Sequence, residues 1–515
     1  MVTKIKLRNI ICLFYIISFI YGCSPNQRSS TPKGVLNPWP DDYTSISSME
    51  NYLKWGTYNV HDPTFKKFGE YYYMYSTDAI FAENRNEAKA KNVPIGNIQI
   101  RRSKDLINWE FVGWAFSEIP KEAIDWVHEN NNGKGATNIW APYVIKYKNT
   151  YRLYYSISAF GKKTSYIGLA ESSTPIGPWE LKGCVVKTNK DTPMNAIDPS
   201  VIENPNSGRL WMHYGSYFGG LYCVELNPET GLTITEGDLG HLVARRANYK
   251  KDNLEAPEII YNEKLNKYFL FTSYDPLMTT YNVRVARSDN PEGPFYDFFG
   301  KDLKDTTNNF PILVAPYKFN NHKGWAGTAH CGITKTDDGR YFMAHQGRLS
   351  PQNHLMVLHV RELFFTPDGW PVASPERYAG DIKKNISKKE IPGNWELIHI
   401  TEPQHERELE AGQILWGEGE LHDNEWNASF TLHLSKDGST SKNGTWSYSK
   451  DNNTLSLSFD NKFIDNLQLF WGHDWENETG TLIFTGLDQN GRSLWGKQID
   501  QQLSPLRKVS AGKCD

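Results

Sequence analysis

The chain has few cysteines and almost no net charge. Six cysteines occur in 515 residues, at spacings that match neither a zinc site nor a dense disulfide framework. The formal charge of −3 reflects 56 basic and 59 acidic residues, which excludes the basic surface expected of a nucleic-acid-binding protein. Hydrophobic residues make up 39% and charged residues 22%, so the composition is that of a folded globular protein.

Long apolar runs are absent except at the N-terminus. Residues 10–20 form an apolar run after a basic segment, and the run is shorter than the about 20 residues that span a bilayer. This layout predicts a signal peptide over residues 1–22. A small residue followed by Cys23 is similar to the bacterial lipoprotein box, in which the cysteine is acylated; a generic cleaved signal is the alternative. We expect a flexible tether over residues 23–45 and an outer-membrane lipoprotein that faces the periplasm or the cell exterior.

Aromatic residues are abundant, at 13% of the chain, and they recur in a repeated phrase. The phrase is a turn residue followed by an aromatic-rich run, and its five copies are Gly69–Tyr75, Asn149–Tyr155, Gly208–Tyr214, Asn266–Thr272 and Gly339–His345. Each copy is typical of a hairpin turn that enters a strand. A period of about 67 residues in an all-β chain indicates a propeller with four strands per blade. We therefore predict a five-bladed β-propeller over residues 46–382.

The composition and the hydrophobic pattern of the sequence change after the fifth copy. Lys383–Lys389 is polar, with four lysines, and predicts a linker. Beyond it, Ala428–Leu434 and Thr454–Phe459 alternate between polar and apolar residues, as half-buried antiparallel strands do. We predict a small β-sandwich or barrel domain over residues 390–512. We expect its six tryptophans to fill the core rather than bind sugar: Trp395, Trp416, Trp426, Trp446, Trp471 and Trp475.

A functional side chain precedes each repeated phrase by 7 to 11 residues. These side chains are Asp62, Trp140, Asp198, Glu255 and His330. Because equivalent positions in radial blades converge on one axis, we expect them to meet at one mouth of the central channel. Crowding and desolvation of the three carboxylates raise the pKa of at least one, as a general acid near pH 7 requires. Glycoside hydrolysis needs one protonated and one ionised carboxyl group.

Residues 59–372 resemble the family 43 glycoside hydrolases, and within them the endo-acting α-1,5-L-arabinanases. The matching stretches are Asn59–Pro63, Asn138–Pro142, Asn195–Ser200, Trp211–Gly220, Glu255–Pro257 and Tyr281–Val285. The resemblance implies a five-bladed propeller and inverting, single-displacement hydrolysis. It also implies that Asp62 is the general base, that Glu255 is the general acid, and that Asp198 orients the acid and tunes its pKa.

Two further positions follow from the resemblance, and one alternative stays open. His330 matches a histidine that lies on the propeller axis near a bound metal ion, usually calcium with mostly water ligands. Cys331 stands where the family more often has Asn, and Tyr143 stands where it often has Asp. Glu258, three residues from Glu255, is the alternative general acid.

Substrate contacts are expected from aromatic and polar side chains near the axis. Candidate stacking platforms for furanose rings are Trp140, Tyr217 and Phe218, with buried packing as the alternative. Candidates for hydrogen bonds to sugar hydroxyls are Asn195, Arg284, His345 and Gln346.

Together these features predict a monomeric, inverting hydrolase of internal α-1,5-L-arabinofuranosidic bonds in pectic arabinan, held at the membrane by its lipid anchor alone. An exo-arabinanase, an α-L-arabinofuranosidase or a β-xylosidase of the same fold is an alternative, because loops at the channel mouth decide between them. A glycan-binding lipoprotein without activity is an alternative of another class, since fold does not imply function. Retention of three carboxylates argues against it.

Overall fold

The computed structural model describes residues 49–78, 96–247, 252–351, 356–403 and 421–499. The predicted signal peptide, the tether and Cys23 lie outside these ranges. Within them the chain is almost entirely strand, with one α-helix, α1 (Lys121–Asn130), and short 3₁₀ segments at Met49–Lys54, Lys388–Glu390 and Asp423–Glu425. None of the helices in the described ranges is long and apolar enough to cross a membrane.

Four antiparallel sheets of four strands follow one another along the chain, and we call them blades 1 to 4. Blade 1 holds β1 (His61–Phe68), β2 (Tyr71–Thr77), β3 (Ile98–Ser103) and β4 (Glu110–Trp114). Blade 2 holds β5 (Ile139–Tyr147), β6 (Thr150–Ser158), β7 (Ser165–Ser172) and β8 (Glu180–Thr188). Blade 3 holds β9 (Ser200–Glu203), β10 (Leu210–Tyr214), β11 (Leu221–Leu226) and β12 (His241–Ala244). Blade 4 holds β13 (Leu254–Asn262), β14 (Lys267–Tyr274), β15 (Asn282–Ser288) and β16 (Ile312–Val314).

The fifth repeated phrase lies in a larger sheet of seven strands. Its members are β17 (Tyr317–Lys318), β18 (Trp325–Ala326), β19 (Cys331–Lys335), β20 (Tyr341–Leu349), β21 (Met356–Phe365), β22 (Pro371–Ala373) and β24 (Asn427–Ala428). The prediction of five blades is therefore wrong, and four blades accompany this larger sheet. The extra strands β17, β18 and β24 are two residues long, too short to show alternation in the sequence.

The five repeated phrases do mark second strands, as predicted, because they lead into β2, β6, β10, β14 and β20. The strands before them form a ring of neighbours: β1 contacts β5 and β19, β9 contacts β5 and β13, and β13 contacts β19. The arrangement is thus propeller-like, with the larger sheet lying between blades 4 and 1. β14 is buried at every position after Lys267, as expected of a strand that is covered on both faces.

A closed barrel of eight strands forms the separate C-terminal β domain. Its strands are β23 (Gly393–His399), β25 (Phe430–Leu434), β26 (Ser439–Thr440), β27 (Gly444–Ser449), β28 (Thr454–Phe459), β29 (Lys462–Asp474), β30 (Thr479–Leu487) and β31 (Ser493–Gln498). Trp395, Trp446 and Trp471 are buried in the barrel core, whereas Trp475 donates a hydrogen bond to the carbonyl oxygen of Arg377 at 2.8 Å. Trp416 lies outside the described residues. Packing within and beside the barrel is what the structure shows for Trp395, Trp446, Trp471 and Trp475.

A buried group of charges joins the barrel to the propeller, and we call it the junction cluster. It comprises Glu376, which follows β22, and three barrel residues, Asp474, Glu476 and Lys497. Nζ of Lys497 lies 3.0 Å from Glu376 and 2.8 Å from Asp474, and it also bonds to Glu476. The lysine side chain is fully buried, so the three carboxylates take the place of its hydration shell.

Candidate active site

The strands that surround the axis share one local distortion at the channel mouth. A residue with positive φ lies at or next to each predicted functional position, within β1, β5 and β13 and just ahead of β9 and β19: Asp62 (48°), Ala141 (41°), Asp198 (59°), Ala256 (54°) and His330 (53°). The pairing register shifts at these points in β1, β5 and β13, which marks a β-bulge. A proline follows the first four of these residues, and a bulge accommodates proline because its nitrogen needs no partner there. The positive φ angles, together with the bulges in β1, β5 and β13, therefore orient these side chains.

Asp62 is buried and held by four contacts. Its Oδ2 accepts a hydrogen bond from the Thr77 hydroxyl at 2.8 Å, and its Oδ1 lies 2.9 Å from Nδ1 of His330. Nε2 of His61 is 3.4 Å from the same Oδ1. The backbone N–H of Asp62 donates to Oε1 of Gln346 at 3.1 Å. The carboxyl group is thus fixed from both sides.

The charges around Asp62 keep it ionised. Burial acts to raise its pKa, but the imidazoles of His61 and His330 and the hydrogen bonds from His330 and Thr77 outweigh burial and lower the pKa. Burial lowers the pKa of His61 to about 4, so His61 is neutral at pH 7. Burial acts in the same direction on His330, but Asp62 raises the pKa of His330 to about 9. The cation beside Asp62 is therefore the His330 imidazolium.

Glu255 lies in the opposite electrostatic setting. It is partly exposed, and its carboxylate accepts hydrogen bonds at 2.6 Å from the hydroxyls of Ser216 and Tyr281. Burial raises the pKa of Glu255, and the negative charge of Asp62 adds to this rise, although the two hydroxyls and His330 oppose it. Among the described residues, no cation forms an ion pair with this carboxyl group. Glu255 is therefore a carboxyl group with a raised pKa that also reaches solvent.

Asp198 contacts the backbone next to Glu255. Its Oδ2 accepts a hydrogen bond from the backbone N–H of Ala256 at 3.1 Å, directly after Glu255 in the chain. Its own N–H donates to the Ser156 hydroxyl at 3.1 Å. Burial raises the pKa of Asp198 well above its usual range, and His330 acts against this while Glu255 and Asp62 add to it. The contact to Ala256 is the geometry expected of a residue that orients the acid.

Glu258, the alternative acid, is engaged in the interior of the sheet. It is 2% exposed, and its carboxylate accepts hydrogen bonds from Lys66 at 3.0 Å, from the backbone N–H of Ile333 at 3.0 Å and from Ser200 at 3.1 Å. Among the described residues, the two carboxylates have no hydrogen-bond partner in common. Glu258 is a buried ion-pair partner of Lys66, and the geometry favours Glu255 as the acid.

The three predicted stacking residues are all partly exposed. Trp140 packs edge-on against Phe160 with ring centroids 6.3 Å apart, and Phe160 is 49% exposed. Tyr217 and Phe218 follow Ser216 in a loop whose backbone has positive φ at both aromatic residues. This conformation holds two large rings at the edge of the site instead of the core. Their role in stacking on sugar stays a prediction.

The polar residues predicted to bind sugar hydroxyls are all buried, which corrects that prediction. Arg284 is fully buried, and its guanidinium bonds to Asn282 at 2.8 Å and covers the ring of Tyr274. His345 and Gln346 have no exposed surface, and Asn195 accepts a hydrogen bond from the Ser165 hydroxyl. No feature of the sequence indicated this burial, because the burial of a polar residue in a strand depends on the sheet packed against it.

The predicted calcium ion has few protein ligands at His330. Nδ1 of His330 lies 2.9 Å from Asp62, so only Nε2 is left for an ion, and it can bind one only when the ring has lost its proton; the backbone N–H of His330 donates to the Ser273 hydroxyl at 2.9 Å. In the part of the chain that the structure describes, the one group of three acidic, His or Cys ligand atoms lies in the junction cluster. The residues thus fit only an ion with a shell of water and carbonyl oxygens. Cys331, where the family more often has Asn, is buried and free.

Four residues contact the predicted catalytic carboxylates although the sequence predicted no role for them. Tyr281 and Ser216 bind Glu255, and Thr77 and His61 contact Asp62. Tyr281 and Ser216 lie in stretches that match the family, which was the available signal. Thr77 ends a repeated strand, and nothing in its neighbourhood distinguished it from the other strand threonines.

The arrangement supplies the two protonation states that glycoside hydrolysis needs at one channel mouth. Asp62, whose pKa is lowered, can accept a proton from water, and Glu255, whose pKa is raised, can donate one to a leaving oxygen. Asp198 contacts the backbone beside Glu255.

Comparison with known proteins agrees with this chemistry. The model of the glycosyl hydrolases family 43 matches residues 56–371, and that of the C-terminal lipocalin-like domain matches residues 375–496. An extracellular endo-α-(1→5)-L-arabinanase of Thermotoga petrophila is 28% identical over 490 residues, or 86% of this chain and 94% of the relative. An extracellular exo-α-(1→5)-L-arabinofuranosidase of Cellvibrio japonicus is 30% identical, over 64% of this chain and 90% of the relative.

Solved structures show the same likeness. The crystal structure of the endo-1,5-α-L-arabinanase from Thermotoga petrophila matches with a TM-score of 0.71 at 27% identity, covering 86% of this chain and 99% of that one. The match includes the barrel as well as the propeller. Since the family model spans more than half of the chain and the carboxylates meet as this chemistry requires, the protein is a glycoside hydrolase and belongs to the glycosyl hydrolases family 43.

Proposed function

We propose that this protein is an endo-acting arabinanase that hydrolyses internal α-1,5-L-arabinofuranosidic bonds with inversion. The observation that carries the proposal is the unequal setting of Asp62 and Glu255, which leaves one carboxyl group ionised and the other protonated at the same channel mouth. The relatives that cover 86% of this chain in sequence and in structure are named endo-arabinanases, which favours that substrate.

The proposed reaction proceeds in one displacement. Glu255 donates its proton to the glycosidic oxygen, while Asp62 accepts a proton from a water molecule on the opposite face of the sugar. For room to hold that water, we expect the two carboxyl groups to be about 6.5–9.5 Å apart in the substrate complex. Asp198 keeps the backbone beside Glu255 in place through its hydrogen bond with the N–H of Ala256.

Sugar binding is proposed for the aromatic residues at the edge of the mouth. Trp140, Tyr217 and Phe218 are the predicted platforms that keep exposed surface. A flat apolar ring binds the apolar face of a furanose without fixing its hydroxyl pattern strongly. Such contacts suit a polymer substrate that must slide between cleavage events.

Product analysis on linear, debranched arabinan tests this function. The wild type is expected to release a ladder of oligosaccharides from the first minutes, and Glu255→Ala is expected to release none. Glu258→Gln is the matched control, because it removes a buried negative charge three residues away that does not touch Glu255. Absence of cleavage by folded wild type would contradict the proposal.

Exo-action is the second candidate, because the Cellvibrio japonicus relative is named an exo-α-(1→5)-L-arabinofuranosidase and is 30% identical. The same assay separates the two. Release of arabinose or of one short oligosaccharide alone from the start would favour exo-action, since an endo-enzyme cuts at many positions.

The location and the ion are also proposals. We propose that Cys23 carries a lipid that holds the enzyme at the outer membrane. Relatives that are named extracellular support a location outside the cytoplasm. Cys23→Ala should release the protein from the membrane fraction. For calcium at His330, isothermal titration of the EDTA-treated protein is the test, with His330→Ala as the control.

A further inference from the structure

Arg361 in β21 is a fully buried arginine whose five N–H groups are all used. Nε donates to Nε2 of His345 at 2.9 Å. One terminal nitrogen donates to the carbonyl oxygens of Ser374 and Pro375. The other donates to the Tyr317 hydroxyl at 2.7 Å and to Nδ1 of His359 at 3.2 Å. A guanidinium has five donors in a fixed plane, so this set of partners defines its position completely.

The contact with Arg361 fixes the protonation of His345. Because Arg361 donates to Nε2, that nitrogen carries no proton, and Nδ1–H is the donor to the carbonyl oxygen of Gln346 at 2.7 Å. Burial lowers the pKa of His345 well below its usual range, and the charge of Arg361 acts in the same direction. His345 is thus a neutral link with one defined tautomer.

Gln346 connects His345 with Asp62, the proposed catalytic base. Its backbone oxygen receives the His345 proton, and its side-chain Oε1 receives the backbone N–H of Asp62 at 3.1 Å. Asp62 has positive φ, a conformation that needs support from its surroundings. A continuous row of hydrogen bonds therefore leads from Arg361 through His345 and Gln346 to Asp62.

The C-terminal barrel closes the other side of Arg361. The guanidinium carbon lies 5.2 Å from the ring centroid of Trp495 in β31 and 5.1 Å from that of Tyr317. Trp495 packs edge-on against Tyr317 with centroids 5.4 Å apart, and it is fully buried. The barrel thus supplies one wall of the chamber that holds the arginine.

We propose that Arg361 is a positioning residue for the catalytic base, acting through His345 and Gln346. We also propose that Trp495 of the barrel helps to hold the Arg361 guanidinium in position. The barrel then has a part in the reaction, although none of its residues that the structure describes contacts Asp62 or Glu255. The proposal rests on the assignment of Asp62 as the base. A lysine does not replace the arginine, because one ammonium group cannot reach His345, Tyr317 and two carbonyl oxygens together.

The test compares Arg361→Lys with Arg152→Lys. Arg152 is also buried and bonds to Glu171 and to the carbonyl oxygens of Pro228 and Glu229, in contacts that do not include the carboxylates of the site. Both variants are expected to lower the melting temperature. Only Arg361→Lys is expected to lower kcat, by about tenfold or more, with KM within about twofold of wild type, because misplacement of a catalytic group affects the chemical step.

The pH profile separates positioning from stability. In Arg361→Lys the acid limb of kcat/KM should move to higher pH, because a shift of the Asp62 backbone weakens the contacts of its carboxylate with His330 and Thr77, which lower its pKa. His345→Phe removes the same link while keeping Arg361, and it is expected to move the limb in the same direction. Trp495→Leu should do so to a smaller extent. If Trp495→Leu leaves the limb in place while Arg361→Lys moves it, the part assigned to the barrel is wrong.

Crystal structures of the variants give a readout that needs no substrate. The 3.1 Å contact between Asp62 N and Gln346 Oε1 should be lost in Arg361→Lys and kept in Arg152→Lys. An intact contact together with an unchanged acid limb would overturn the proposal, and His345→Phe decides in the same way should Arg361→Lys not fold. Wild-type inactivity on arabinan with a displaced Asp62 in the variant would contradict the proposed substrate alone.

Discussion

The active site and the junction cluster hold the same set of charges: three acidic residues and one cation. In the junction cluster, Lys497 bonds to all three carboxylates and is fully buried. In the active site, His330 contacts Asp62 directly, while Glu255 bonds to two neutral hydroxyls and keeps solvent contact. Chemistry requires the second arrangement, because an acid and a base need different pKa values and an open path to the substrate.

The placement of the cation makes the difference. A lysine in the middle of the carboxylates neutralises them jointly and fixes two domains together. An imidazolium at one end lowers the pKa of Asp62 and leaves burial to raise the pKa values of Asp198 and Glu255. We expect substitutions in the two clusters to have different effects: on rate in the active site and on stability in the junction cluster.

The largest effect is expected from removing the ionised carboxylate. Asp62→Asn should lower kcat by about 10³-fold or more, because general base catalysis typically contributes 10²–10⁴-fold and the amide also loses the ion pair with His330. Initial rates on linear arabinan measure this. The melting temperature should also fall, because the lowered pKa of Asp62 means that its ionised form stabilises the fold at pH 7, and the amide leaves the buried His330 imidazolium without its partner. A variant with more than about a tenth of wild-type kcat would contradict the role of base.

In the junction cluster, removal of the cation should affect folding more than rate. Lys497→Met leaves three buried carboxylates without a counter-charge, and breaking such a cluster typically costs about 3–5 kcal/mol. Urea unfolding at pH 7 gives the free energy. Lys384→Met, at a partly exposed lysine, is the control and should change it by less than about 1 kcal/mol. Equal stability of both variants would show that the cluster does not join the domains.

The pH dependence of the junction is a smaller and more specific test. Burial raises the pKa of Glu376 well above its usual range, with Glu476 adding to the rise and Lys497 opposing it. A carboxyl group with a raised pKa stabilises the fold while it is protonated, and this contribution is lost as pH rises through its folded-state pKa.

Glu376→Gln imitates the protonated group at every pH. Its melting temperature should equal that of wild type near pH 5 and exceed it at pH 9, by about 2–4 °C for each kcal/mol recovered. Scanning calorimetry across this range measures the difference. A constant gap at all pH values would mean that Glu376 does not titrate in the junction.

The smallest effect is expected at the hydroxyls around the acid. Tyr281→Phe removes a donor that favours the ionised form of Glu255, so the pKa of Glu255 should rise. The alkaline limb of kcat/KM should move to higher pH by up to about one unit. Tyr214→Phe is the control, because its hydroxyl bonds to the Leu239 carbonyl oxygen instead. An unchanged or lowered limb in Tyr281→Phe would contradict the assignment of Glu255 as the acid.

The sequence predicted the parts of the fold that repeat. Copies such as Gly69–Tyr75 mark a second strand, and Asp62, Asp198 and Glu255 hold equivalent positions ahead of them. The strands β17 and β24 carried no such signal, because pairs of two residues form only when the barrel lies beside the propeller. The number of blades was wrong for this reason.

The sequence was least informative about buried polar residues. Arg284 and His345 lie in strands with the residue types of a binding site, yet both serve the interior. Whether a polar side chain faces a cleft or a neighbouring sheet depends on the packing of distant segments, such as Trp495 against Arg361. Motifs recovered Asp62 and Glu255 because their role depends on position along the chain, whereas His345 acquires its role from long-range contacts.

The anomeric configuration of the first product tests the central assignment most directly. Proton NMR during hydrolysis of linear arabinan should show the β-anomer at the new reducing end before mutarotation, because Asp62 activates a water opposite the bond that Glu255 protonates. The signal should be absent with Glu255→Gln. Initial formation of the α-anomer would contradict the account, since it would require a covalent intermediate and a nucleophile in place of a base.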